Sequence, residues 1–150
     1  MILTSCLTKY QEVNMKKLFL FVLALNGIVA QAQFTIPDVP SYQTSVYDYA
    51  DVLNPTEEKE LENKLVRYSD STTTQIVVIT VEDLKGEDIG ILTPKWAHQW
   101  GIGQEKEDNG ILILLSKNDR KIHISPGYGV EDRLTAGING ELIRNIFFVR

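Results

Sequence analysis

Two short aliphatic runs constrain this chain more than anything else in it: Gln75-Ile76-Val77-Val78-Ile79-Thr80-Val81 and Ile111-Leu112-Ile113-Leu114-Leu115. Neither alternates with polar residues, so each has to be covered on both sides. Runs of this length and β-branched content suit strands inside a sheet flanked by helices. The intervening segments carry helical signals. Asn54-Pro55-Thr56-Glu57 combines an Asn N-cap, Pro at the first helical position and Glu three residues after the cap, and Leu61, Leu65 and Tyr68 follow at helical spacing. A helix is predicted over about 55 to 70. A second is predicted from Asp88-Ile89 to Trp100, with apolar residues at 89, 92, 96, 97 and 100 and Gly101 as its C-cap. Pro94 either kinks that helix or moves its regular part to begin behind Thr93.

After the second run, Ser116-Lys117-Asn118-Asp119-Arg120 is a polar turn, and Lys121-Ile122-His123-Ile124-Ser125 alternates. The pair reads as a β-hairpin whose second strand shows Lys121, His123 and Ser125 on one face and Ile122 and Ile124 on the other, half exposed and near an edge. Pro126-Gly127-Tyr128-Gly129 breaks it, and Glu141 to Phe148 resumes a helical pattern. The predicted order is α-β-α-β-β-α. Its first two strands are parallel across a crossover helix and the hairpin adds an antiparallel strand. The fold class is α/β, a layered α/β sandwich with a mixed central sheet and helices on both faces.

The N-terminal third reads as an address. Met15-Lys16-Lys17 precedes the apolar run Leu18 to Ala30, which is too short to span a bilayer, and Ala30-Gln31-Ala32 matches a small-residue cleavage site. Residues 1–14 then read as an upstream over-extension, 15–32 as a signal peptide, 33–45 as an extended leader containing Pro37 and Pro40, and 46–150 as the domain. A core helix is the alternative for the apolar run. Leu3-Thr4-Ser5-Cys6 lacks the hydrophobic run that lipidation requires. The expected mature chain starts at Gln33 and is exported, periplasmic or extracellular, with no membrane span. It holds 118 residues, no cysteine, and 12 basic against 19 acidic side chains. That length supports a single core. The charge excludes a basic nucleic-acid face, and the missing thiols exclude disulfides and thiolate zinc sites. Acidity steers cations and basic partners toward the surface, although a solubilising surface charge is the preferred reading of it.

Few residues offer chemistry. Gly101-Ile102-Gly103 and Gly127-Tyr128-Gly129 lack the third glycine of a dinucleotide fingerprint and read as turns and caps. His98 and His123 have no second histidine at ligand spacing and read as surface or boundary residues. Carboxylates remain, and the hairpin constrains them. Asp108-Asn109 enters one strand and Glu131-Asp132 follows its antiparallel neighbour, so the two acidic loops should meet on one rim, with Glu82 and Asp83 on the opposite one. Oxygen ligands of this kind suit calcium or magnesium. The alternative leaves them as solvated loop charges, with Asp108-Asn109-Gly110 acting as a turn.

Several ordered segments, Val46-Tyr47-Asp48-Tyr49-Ala50-Asp51-Val52-Leu53, Gln75-Ile76-Val77-Val78, Trp100-Gly101-Ile102-Gly103, Asp108-Asn109-Gly110-Ile111-Leu112 and Gly127-Tyr128-Gly129-Val130-Glu131, together resemble the TPM domain family over roughly residues 46 to 146. The resemblance implies an α/β sandwich, divalent-cation binding in some members and a weak acid-phosphatase activity in others. It places the family's acidic positions on Asp48 and Asp108. Where the family reads Leu-Thr-Asp this chain has Leu134-Thr135-Ala136, which removes a carboxylate and leaves Glu131 and Asp132 as substitutes. Family domains usually continue past the last helix, whereas this sequence stops at Phe147-Phe148-Val149-Arg150. The expected metal set is therefore Asp48, Asp108, Glu131 and Asp132, with calcium or magnesium as the ion and no catalytic residue named. The expected function is an exported module that binds a divalent cation or an envelope partner. The alternatives are a metal-assisted acid phosphatase and a purely structural domain that docks through Trp96, Trp100 or Tyr128.

Overall fold

A computed structural model describes residues 33–103 and 108–147. The signal-peptide reading of 15–32, the over-extension reading of 1–14 and the last three residues lie outside the described residues. Residues 33–150 form one compact unit.

The chain runs β1 (Val46–Asp48), α1 (Pro55–Thr72), β2 (Gln75–Val81), α2 (Ile89–Trp100), β3 (Gly110–Ser116), β4 (Lys121–Pro126), a single 3-10 turn (Tyr128–Val130) and α3 (Ala136–Phe147). The strands form one mixed sheet in the order β1-β2-β3-β4. The first three are parallel and β4 returns antiparallel to β3. This is an α/β fold. It has one more strand than the sequence suggested. Three residues are too few to show a period, and β1 is defined by its ladder to β2, with Val46 beside Val78 and Asp48 beside Thr80.

Local chemistry sets the helix ends. The Asn54 side chain accepts from the amides of Thr56 and Glu57 at 3.0 Å each, and the Glu57 carboxylate accepts from the Asn54 amide at 3.0 Å. That closes the capping box, which satisfies donors the first turn leaves open. Asp88 caps α2, and Gly101 ends it at φ 61, in the left-handed region where glycine carries no Cβ penalty. The helix continues through Pro94. The proline sits in its second turn, where it withdraws only one backbone donor. Thr135 caps α3, accepting from the Ile138 amide at 3.4 Å, and α3 starts five residues before the predicted boundary at 141.

The core lies between α2 and the sheet face that carries Val77, Ile79 and Val81 of β2 and Leu112 and Leu114 of β3. Leu92 and Trp96 insert from α2, both almost wholly buried. Such side chains contribute roughly 1.5–3 kcal/mol each through apolar burial. α1 rests on β1 and β2, and α2 on β3 and β4. The extended segment 33–45 does more than connect. Ile36 belongs to the core and Phe34 packs on it, its ring 5.6 Å from that of Trp96. The Trp100 indole N–H donates to the Pro37 carbonyl at 2.9 Å. Of the three aromatic residues considered as docking anchors, Trp96 is core and Trp100 packs against it, whereas Tyr128 is 83% exposed.

Candidate functional site

β3 and β4 set the geometry of the site. Being antiparallel, they bring Ile111 beside Pro126, so the loop entering β3 and the turn leaving β4 share one rim. Two backbone bonds join them: the Gly127 amide donates to the Gly110 carbonyl at 2.7 Å, and the Gly129 amide to the Asp108 carbonyl at 3.1 Å. Glycine permits this approach. A Cβ on Gly127 would press into the Asp108 carbonyl, 3.0 Å from its carbon, and one on Gly110 would stand 2.5 Å from the Ile102 carbonyl carbon. Asp108 itself takes φ 44, a conformation that aspartate tolerates better than most residues.

The other side of the same loop is tied to β2. Asn109 is buried and donates from Nδ2 to the Thr73 carbonyl at 2.6 Å, and its own carbonyl accepts from the Gln75 amide at 3.2 Å. Gln75 Oε1 accepts from the Gly103 amide at 2.9 Å. Asn109 is thus an anchor for the loop.

Beside this seam opens a groove of about 1280 Å³ walled by α2, the end of β4 and α3. Asp108, Glu131 and Asp132 all line it, as the hairpin argument required. Among the described residues its lining contains no lysine or arginine. His98 and His123, read from the sequence as surface or boundary residues, line it too. The signal for His123 was present, since it shares a strand face with Ser125 and that face looks onto the groove. His98 became a lining residue only once α2 was laid beside β4. Burial holds the His123 imidazole below its ordinary pKa, although the Asp88 carboxylate pulls the other way. Its ring is therefore biased toward the neutral form, with one nitrogen available as an acceptor.

Asp48 does not join the other three. It ends β1 beside Thr80, while the groove lies at the Gln75–Gly110 end of the sheet. At strand rise the two ends are about 17 Å apart. The side chain is fully engaged there: it accepts from the Thr80 hydroxyl, from the Val52 amide at 3.1 Å and from the Leu53 amide at 2.7 Å. Partial burial pushes its carboxyl up, but the bonds from Thr80, Leu53 and Val52 together outweigh that and hold it below the usual carboxylate range. Thr80 Oγ1 in turn accepts from the buried Ala50 amide at 3.1 Å. Asp48 thus organises the chain between β1 and α1. Other groups on this rim are also committed to structure. Lys117 Nζ donates to the Ala50 carbonyl at 2.7 Å and stands 3.4 Å from Glu82, and Asp119 accepts from the Leu84 amide at 2.8 Å and the Ser116 hydroxyl at 2.6 Å.

A family model for the TPM domain matches residues 46–148. The chain belongs to the TPM domain family. Two solved structures share the TPM fold seen here. The N-terminal domain of a protein from P. gingivalis, determined by solution NMR, is 28% identical, with a TM-score of 0.65, covering 75% of this chain and 76% of that one. The N-terminal domain of the cg2496 protein from Corynebacterium glutamicum, also by solution NMR, is 20% identical, with a TM-score of 0.51, covering 64% and 62% respectively, and supports the fold alone. No curated protein matches the chain.

The donor chemistry of the groove fits a hard cation, since Asp108, Glu131 and Asp132 offer carboxylate oxygens. The geometry is not preassembled. Among the described residues no three His, Cys, Asp or Glu side chains stand close enough to hold one ion as they are.

Proposed function

We propose that this TPM domain is an exported binding module whose acidic groove takes a divalent cation, calcium or magnesium. Asp108, Glu131 and Asp132 would hold it, with water or an envelope partner completing its shell. One observation carries the reading: two loops that bring three carboxylates are joined backbone to backbone beside a groove with no lysine or arginine in its described lining. Carboxylates gathered without a counter-charge favour a cationic guest. The exposed Glu131 and Asp132 must swing inward, so binding should be weak and largely hydrated, with a dissociation constant on the order of 1 mM, as in extracellular calcium modules. The groove is much larger than one ion. Its remaining wall, with Pro94, Ala97, Ile102 and Ile143, suits the apolar part of a partner segment that would meet the same ion.

Titration of the 33–150 protein with calcium and then magnesium, followed by amide NMR shifts, tests this. Saturable shifts are expected at 108–110 and 127–132. Shifts absent there up to about 20 mM, well above the expected constant, would remove the cation reading.

A further inference from the structure

The compact unit starts at Gln33, the residue that follows the Ala30-Gln31-Ala32 motif. Gln33 is exposed, whereas Phe34 and Ile36 immediately after it pack into the core against α2. We propose that the chain is cut after Ala32 and that the new N-terminal Gln33 is converted to pyroglutamate.

The chemistry needs no co-reactant. The free α-amine of an N-terminal glutamine reaches its own side-chain carboxamide. The amine nitrogen bonds to the Cδ carbonyl carbon, the Cδ–Nε2 bond breaks, and ammonia leaves, closing a five-membered lactam with the loss of about 17 Da. The placement makes this possible here, because an exposed Gln33 side chain is free to fold back on its own amine.

The product has a structural use. Terminal residues are where trimming concentrates, and in this fold the second residue of the cut chain packs on the core and the fourth belongs to it. The Phe34 ring covers Trp96, and Pro37 accepts the Trp100 indole N–H. An aminopeptidase acting on an open N-terminus would remove Phe34 and uncover Trp96 before stalling at the Ile36-Pro37 bond. A lactam has no free amine, so trimming cannot begin.

The test is to express the full chain in a host that exports it, recover the protein and hold it at neutral pH. Intact mass and N-terminal sequencing are then read before and after treatment with pyroglutamyl aminopeptidase. The expected mass lies about 17 Da below that of 33–150, with sequencing blocked until the enzyme opens it at Phe34. The Gln33→Ser variant should be cut at the same bond, sequence directly from its substituted first residue and lose Phe34 to a general aminopeptidase that leaves the wild type intact. A mature chain starting anywhere other than residue 33 overturns the proposal entirely. A chain starting at Gln33 with full mass and an open amine overturns the cyclisation. Neither result bears on the groove, which is read by cation titration.

Discussion

Substituting alanine for Gly127 isolates the contact that holds the two acidic loops together. Gly127 has φ −73 and ψ 164, a conformation alanine adopts freely, so the change adds no backbone strain of its own. What it adds is a methyl group pressed into the Asp108 carbonyl, 3.0 Å from its carbon and 3.2 Å from the Gly110 oxygen. Those are backbone atoms and cannot rotate away. The loops must separate, weakening the two bonds that join them, each worth about 1 kcal/mol, and the overpacking adds about 1–3 kcal/mol. A loss of about 3–5 kcal/mol is a large share of the roughly 5–15 kcal/mol available to such a domain, and corresponds to about 12–20 °C in Tm. Gly86→Ala is the control. Gly86 has φ +85 with nothing within 4 Å of its added Cβ, so alanine there carries only the left-handed penalty of about 1–2 kcal/mol. Thermal and urea unfolding of both variants, with cation titration of Gly127→Ala, reads the difference. If Gly127→Ala costs no more than Gly86→Ala, or keeps wild-type shifts at 127–132, the seam does not organise the site.

Asp48→Asn should lower stability by about 1–2 kcal/mol at pH 7, because the amide replaces a charged acceptor of three hydrogen bonds at a partly exposed position, while leaving cation shifts at the groove unchanged. The Asp48 carboxyl is held low in the folded state, so its contribution is complete above the unfolded value of about 3.9 and fades as pH falls through the lower folded value. The wild-type advantage over Asp48→Asn should therefore shrink in acid unfolding curves below about pH 4. Asn54→Ala removes the capping-box acceptor of α1 and should cost about 1 kcal/mol by urea denaturation, with no effect on the groove. Phe34→Ala should cost about 2–4 kcal/mol and raise the Trp fluorescence accessible to a soluble quencher, since the Phe34 ring stands over Trp96. An unchanged quenching curve would mean that the segment before β1 does not stay docked.

Most of this fold is legible in the sequence wherever one segment decides its own state. The runs at 75–81 and 111–115 could be nothing but buried strands, the box at Asn54 fixed the start of α1 to the residue, and the antiparallel hairpin brought the 108 and 131–132 loops to one rim through chain direction alone. What stayed hidden depends on partners distant in the chain. Val46–Asp48 becomes a strand only beside Val78–Thr80. The resemblance to relatives grouped Asp48 with the acidic loops, because position in a motif does not tell which end of a sheet a side chain occupies. Its real partners, Thr80 and the amides of 52 and 53, explain why a carboxylate is useful there. Phe34 and Ile36 sit in a stretch without periodicity, and only the face of α2 they cover reveals Ile36 as core and Phe34 as packed on it. His98 likewise became a neighbour of the groove only through the packing of α2 beside β4.

The proposal that the two loops share a cation is tested most directly with manganese as a paramagnetic probe for hard-cation binding. Added to the isotope-labelled protein at substoichiometric amounts, it should broaden the amide signals of 108–110 and 127–132 first, and Asp108→Asn together with Asp132→Asn should abolish that broadening while both signal sets stay dispersed. Broadening centred on 48–53 or 82–85, at the other end of the sheet, would contradict the account.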